Sequence, residues 1–220
     1  MTAVMLLVLL GLGTWQVKRL FWKEALLAQI DQAEAAAPVP LTDTPSPFTR
    51  VAVTGTLLPD ETALYGADVR TIASGPEMGA RLIEPMRESN GDVILIDRGW
   101  VPLSRPGPID QPEGTVTISG YARFGDQVHW FSASDDPAAR RFFTLDPKAI
   151  GDAVGQPTVR PFVLVALATG PESAADRWPD PARHLPRPPN SHLSYAITWY
   201  GLAVALLAIF VVWAMRESRS

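Results

Sequence analysis

The sequence contains no cysteine among its 220 residues, which excludes disulfides, thiolate metal sites and cysteine nucleophiles together. Histidine is almost as scarce: His129, His184 and His192 are the only candidates for any chemistry built on imidazole. Five scattered methionines without cysteine argue against a Cu(I) carrier, because such sites use soft ligands. There is no basic block and the formal net charge is −4, so the electrostatic footprint that binding to a phosphate backbone requires is missing. Nucleic acid is therefore not expected as a partner. P-loop, G-x-S-x-G and His-Glu-x-x-His patterns are also lacking. The segment GLGTWQ opens like a dinucleotide fingerprint, but it has no third glycine and does not follow a strand.

What is present begins at the two ends. Ala196 to Met215 runs without a charge, long enough at about 1.5 Å per residue to span a hydrocarbon core of about 30 Å. Met1 to Val17 is a shorter apolar run at the lower limit for spanning. A signal peptide would show a basic stretch before this run and an Ala-x-Ala-like site after it, whereas Trp15, Gln16, Lys18 and Arg19 follow directly. The expectation is an uncleaved span. Two spans place both termini on one side of a membrane and the central domain on the other. Lys18, Arg19, Lys23, Arg183 and Arg187 flank the spans on the domain side, against Arg216 and Arg219 on the other. Charge counting alone would keep the domain cytoplasmic, but long domains cross largely regardless of charge.

Between the ends the composition turns polar and rich in proline. The first helix is expected to continue to about residue 37, since helix formers dominate and Trp22, Leu26 and Ile30 keep an i, i+4 spacing. Pro38 and Pro40 stop it. Seven short β-type runs follow: 48–58, 62–66, 80–86, 92–100, 115–123, 140–145 and 159–168. Asn90-Gly91 marks a tight hairpin between the third and fourth. Asp146 and Pro147 open a short helix as N-cap and first helical residue. The expected fold class is an α+β membrane protein: two transmembrane helices flanking one mainly antiparallel β domain, an open barrel or sheet, with a short helix. The expected boundaries are 1–17 for the first span, 38–170 for the β-rich domain, 171–190 for a Pro/Arg-rich connector and 191–215 for the second span. For the segment IDRGWVP (96–102) the reading is a strand leaving the sheet through a glycine turn, with Trp100 packed on the domain.

His192 lies in the first turn of the second span, where Asn190 or Ser191 can cap the helix. His192, Tyr195, Ala196 and Trp199 share one helix face, and Trp15, Arg19 and Trp22 share a face at the domain-side end of the first span. If these faces meet, an imidazole, four aromatic rings and a guanidinium line one pocket at the lipid–water boundary. Haem fits such a pocket, with His192 as axial ligand to the iron and Arg19 near a propionate. The same residues also describe an ordinary aromatic belt with a snorkelling arginine. His129 and Trp130 read as surface loop or rim residues, and His184 has no helix to orient it.

Five stretches, LGTWQVKRLFWKEALL (12–27), VAVTGTLL (51–58), VILIDRGWVP (93–102), FFTLDPKAI (142–150) and NSHLSYAITWYGLA (190–203), occur in the order found in one family. In them the chain resembles the surfeit-locus-one (Surf/Shy-type) proteins, which assist assembly of cytochrome c oxidase. The resemblance implies two membrane helices with the large domain in the bacterial periplasm or the mitochondrial intermembrane space. For a bacterial chain this means the inner membrane, with both termini cytoplasmic. It further implies a non-enzymatic role in delivering or retaining haem a, as cargo, for oxidase subunit I, with haem a synthase as a further partner besides membrane lipid. The family's candidate haem ligand aligns with His192. Tyr195, Trp199, Trp15 and Arg19 match family positions, while a haem role for them rests on the shared faces alone. Tyr200 stands where the family more often has another aromatic, often Phe. Two rivals stand beside this reading: a scaffold that stabilises a subunit I intermediate without binding haem, and an enzyme acting on haem or quinone.

Overall fold

The computed structural model describes residues 1–104, 107–126, 133–169 and 177–218. His129, Trp130, Arg219 and residues 171–176 of the expected connector lie outside the described residues. The chain forms two compact units, Met1–Gln32 with Pro186–Ser220, and Ala33–Leu185.

The first unit is built on α1 (Thr2–Ala35) and α3 (His192–Glu217), each long and apolar enough to cross a membrane. Their contacts run in opposite directions along the two helices, Thr14 meeting Tyr200 and Gln16 meeting His192, so the pair is antiparallel. Most of their apolar side chains, such as Val4, Leu7, Ile197, Val204 and Ile209, point outward and are exposed.

The second unit carries β1 (Val39–Pro40), β2 (Val51–Leu57), β3 (Ala63–Ile72), β4 (Gly75–Glu88), β5 (Val93–Pro102), β6 (Thr115–Phe124), β7 (Arg141–Phe142), α2 (Pro147–Ala153) and β8 (Phe162–Ala166). All seven expected runs contain a strand. The Asn90-Gly91 hairpin joins β4 to β5, with Met86 opposite Ile94 and Gly91 at φ +92°. Asp146 caps α2 by accepting from the Lys148 and Ala149 amides. The sheet is mainly antiparallel, as expected, in the pairings β2–β4, β2–β6, β3–β4, β4–β5 and β6–β8, and it is mixed because β1–β2, β3–β7 and β5–β8 pair in parallel. Its pairings close a cycle: β2 pairs β6, then β8, β5 and β4 follow, and β4 returns to β2.

β5 and β8 are buried along their whole length, which is why they read as nearly continuous apolar runs instead of alternating ones. One core gathers Val51, Val53, Met86, Ile94, Ile96, Phe162 and Leu164. A second, under α2, gathers Ile83, Leu95, Phe142, Leu145, Ile150 and Val163. At Leu82/Ile83 the β4–β5 register shifts, Leu82 facing Gly99 and Ile83 facing Asp97, so Arg98 is the extra residue of a bulge. The IDRGWVP strand therefore does not leave the sheet: it bends at Arg98-Gly99 and continues to Pro102. Trp100 is buried as expected, its ring edge-on to Trp178 with centroids 5.3 Å apart.

The bulge turns Arg98 inward against Glu84, with Nη1 to Oε2 at 2.7 Å, where the two side chains are 8% and 0% exposed. Gln111 Oε1 and the Asp110 carbonyl accept the guanidinium's other hydrogen bonds at 2.9 and 2.6 Å. A neighbouring buried carboxylate, Asp97, pairs with Arg81 and accepts from the Gly99 amide. Burial holds the Asp97 carboxyl above its usual range in spite of Arg81. Asp126 behaves in the opposite sense. Burial pushes it up, but hydrogen bonds from the Tyr65 hydroxyl and the Leu145 amide, with the Arg123 charge, outweigh burial and leave it lowered. A lowered carboxylate contributes stability above the ordinary carboxylate range and loses it as pH falls through the folded-state value. Asp126→Asn is accordingly expected to lower the β domain's stability above pH ~6 and to make less difference as pH falls, so that the acid limb of the stability profile is flatter. Denaturation of the full chain at a series of pH values checks this.

Candidate functional site

In an apolar helix pair the seam is marked by small and polar residues, since large apolar side chains gain nothing by facing a neighbour instead of hydrocarbon. That is how α1 and α3 meet. Leu9, Gly13 and Gln16, spaced i, i+4, i+7, are the buried face of α1, and Ala196 and Ala203 are buried on α3. A Cβ on Gly13 would lie 2.9 Å from the Tyr200 ring, so this position needs glycine for the approach. The Tyr200 and Thr14 hydroxyls hydrogen-bond at 3.1 Å beside it. The hydroxyl that this chain has at position 200 is therefore used between the helices.

One turn further along, His192 Nδ1 lies 2.7 Å from Gln16 Oε1. Gln16 is one of the few buried polar side chains among the described residues. The Trp15 ring stands edge-on to the imidazole, centroids 6.5 Å apart at 83°. His192 itself is half-buried, at the first residue of α3. Ser191 occupies the cap position without a side-chain cap bond, and the Asn190 Oδ1 accepts from the His192 amide at 3.4 Å instead. Below the helix start, Arg187 reaches Asp31 of α1 at 2.7 Å.

The structure brings His192 and Trp15 together, as the two shared faces suggested. The remaining residues are placed otherwise. The Arg19 guanidinium lies over the Trp22 ring, 4.1 Å from its centroid, and Lys23 approaches the same ring at 5.8 Å. Trp15, Trp22 and Tyr195 are exposed and Trp199 is half-exposed. The α1 face turned to α3 is thus the one through Gln16, next to the one through Trp15, Arg19 and Trp22. The sequence pattern does not single out Gln16, and the one signal it offers there is a lone amide inside an apolar run. His184 lies outside any helix, as expected, and its Nδ1 is 2.7 Å from Glu34 Oε1 near the end of α1. Arg50 donates to the Glu34 and Ala36 carbonyls there, closing the helix terminus. Among the described residues no group of three or more His, Asp or Glu side chains is placed to hold a metal ion.

A mixed β domain carried between two long apolar helices, with a buried Gln16 against a half-buried His192 in the helix seam, defines a helix-flanked domain protein whose candidate polar site belongs to its terminal helices. The chain belongs to the SURF1 family, whose model matches residues 3–204. It is 32% identical over 217 residues to a SURF1-like protein of Monosiga brevicollis, covering 91% of this chain and 81% of that protein. It is 28% identical over 214 residues to a SURF1-like protein of Rickettsia conorii, covering 95% and 88%. Surfeit locus protein 1 of Homo sapiens is 28% identical over 216 residues, covering 89% and 70%. The resemblance carried by the five stretches is thus the chain's family.

Proposed function

We propose that this protein is a two-pass membrane protein that assists assembly of cytochrome c oxidase by holding haem a at His192 and passing it to subunit I. The observation that carries the reading is the placement of His192: it opens α3, packed on Gln16 and Trp15, on a helix pair whose outer surface is apolar. Lipid is the environment that suits such an exterior, and each helix has the length to cross it. The domain then lies in the periplasm of a bacterial cell, beyond the inner membrane, with both termini cytoplasmic.

The residues present fit a haem better than a bare metal ion. A bare ion needs several protein ligands, whereas an iron already held by a porphyrin needs one or two from the protein, and a single ordered imidazole supplies that. His192 would hold the iron, which in turn supplies the redox and oxygen chemistry of the finished oxidase. Trp15 stands edge-on to the imidazole and offers an aromatic surface, as Tyr195 and Trp199 do on α3. Arg19 would have to leave its stack on Trp22 to reach a propionate. A single exchangeable ligand suits a carrier that must release its cargo, and no catalytic step is assigned to the chain. Haem a synthase is the natural donor and subunit I the acceptor.

A second reading, a scaffold for subunit I, draws on the β domain. Val69 and Met78 pair across β3–β4 with their side chains exposed, and the Leu103 amide bonds the Met78 carbonyl beside them. One preparation tests both readings: full-length protein purified in detergent from cells that make haem a. His192→Ala is expected to remove most of the Soret absorbance. Unchanged haem content would overturn the ligand assignment, and undiminished capture of subunit I by the same variant would then favour the scaffold.

A further inference from the structure

We propose that Gln16 is the positioning residue of the His192 imidazole, fixing its proton on Nδ1 so that Nε2 is the coordinating atom. The inference deepens the haem reading and rests on it for the identity of the ligand. The argument starts from the 2.7 Å separation of Gln16 Oε1 and His192 Nδ1. A carbonyl oxygen only accepts, so Nδ1 must donate, and a neutral imidazole with its hydrogen on Nδ1 carries its lone pair on Nε2. Among the described residues no group hydrogen-bonds Nε2.

Three features make this contact more than a chance meeting of polar groups. Gln16 is 8% exposed, so water does not compete for its amide. It lies on the buried stripe with Leu9 and Gly13, so its direction is set by helix packing. The Gly13–Tyr200 approach and the Thr14–Tyr200 hydrogen bond fix the relative height of the helices nearby, holding Gln16 level with His192. An N–H donor bond from the far nitrogen orients a ligating histidine and makes it a stronger electron donor to its metal. A neutral amide does this more weakly than a carboxylate, which agrees with a ligand bond that must be broken when cargo is transferred.

The experiment uses the full chain in detergent, labelled with 15N-histidine, and haemin as the probe. Without haemin, at alkaline pH, the His192 nitrogens, assigned by their loss in His192→Ala, are expected to show hydrogen on Nδ1 and a bare Nε2. Gln16→Leu should shift the population toward the other tautomer. Hydrogen on Nε2 in the unaltered protein, or no response to Gln16→Leu, would overturn the proposal. With haemin bound and reduced, the iron–histidine stretching frequency is expected to fall in Gln16→Leu and rise in Gln16→Glu, a near-isosteric variant that keeps an acceptor. If the band is present but indifferent to both, Gln16 does not position the ligand and the haem reading survives. If no iron–histidine band appears while the tautomer still depends on Gln16, the positioning role stands and the haem reading fails.

Discussion

Glu84→Ala is expected to destabilise the β domain by about 3–5 kcal/mol, because it leaves the Arg98 guanidinium buried without its counter-charge. Arg98 is 8% exposed and Glu84 is fully buried, so water cannot take the carboxylate's place. Gln111 and the Asp110 carbonyl remain as acceptors, but both are neutral. Against a typical domain stability of about 5–15 kcal/mol, this loss is a large share of the whole. Hydrogen exchange of the β5 amides in the full chain is the direct measure, since these amides open with the global unfolding of the domain. The double variant Glu84→Leu with Arg98→Met should recover most of the loss, because apolar groups of similar volume often replace a buried pair at little cost. Equal destabilisation by the single and double variants would show that the charge pair is not the cause.

Gly99→Ala is expected to cost roughly 3 kcal/mol or more, combining a backbone conformation that L-residues rarely adopt with a steric conflict. Gly99 has φ +128°, and an added Cβ would fall on the carbonyl of Asp180 and on Pro181 N. The Trp100 and Asp180 amides bond each other's carbonyls at 2.8 Å, so the segment that would have to move is tied to β5 on both sides. It also carries Trp178, which packs on Trp100. Gly91→Ala is the comparison: φ is +92° there, but nothing lies within 4 Å of the added atom, so only the strain of about 1–2 kcal/mol is expected. Matched thermal unfolding of the two variants separates strain from collision. A similar loss in both would mean that the Asp180 contact carries no weight.

Much of the β domain was legible in the sequence because β-branched runs and turn residues act locally. Asn90-Gly91 named its own hairpin, and Asp146-Pro147 named the start of α2. The β3–β4 hairpin was legible only at its base. Residues 66–79 carry Gly, Asp and Pro and point mostly outward, so nothing in their pattern distinguishes a long exposed ribbon from a loop. The parallel pairings were hidden for another reason. β8 lies between β5 and β6, and that choice depends on distant chain segments, not on the run FVLVA itself. At the helix pair, His192 stood out as a polar residue opening an apolar span. Gln16 did not, because the spacing of Trp15, Arg19 and Trp22 marks the adjacent face more strongly than one amide marks its own. In lipid-like surroundings bulk is no guide to the inner face, and Gly13, Ala196 and Ala203 were the more telling letters.

The closed cycle of strands has a consequence for how the protein is made. When a ribosome has delivered β2, β4, β5 and β6, the ring still has a gap between β5 and β6, with both facing edges unpaired. Only Phe162–Ala166 fills it, five residues buried on every side. The last strand therefore arrives late, shortly before the chain's second apolar helix leaves the ribosome, and the nearly finished domain must keep an open, sticky slot until then. A nascent chain halted before residue 162 should be aggregation-prone in a way that one halted after residue 166 is not.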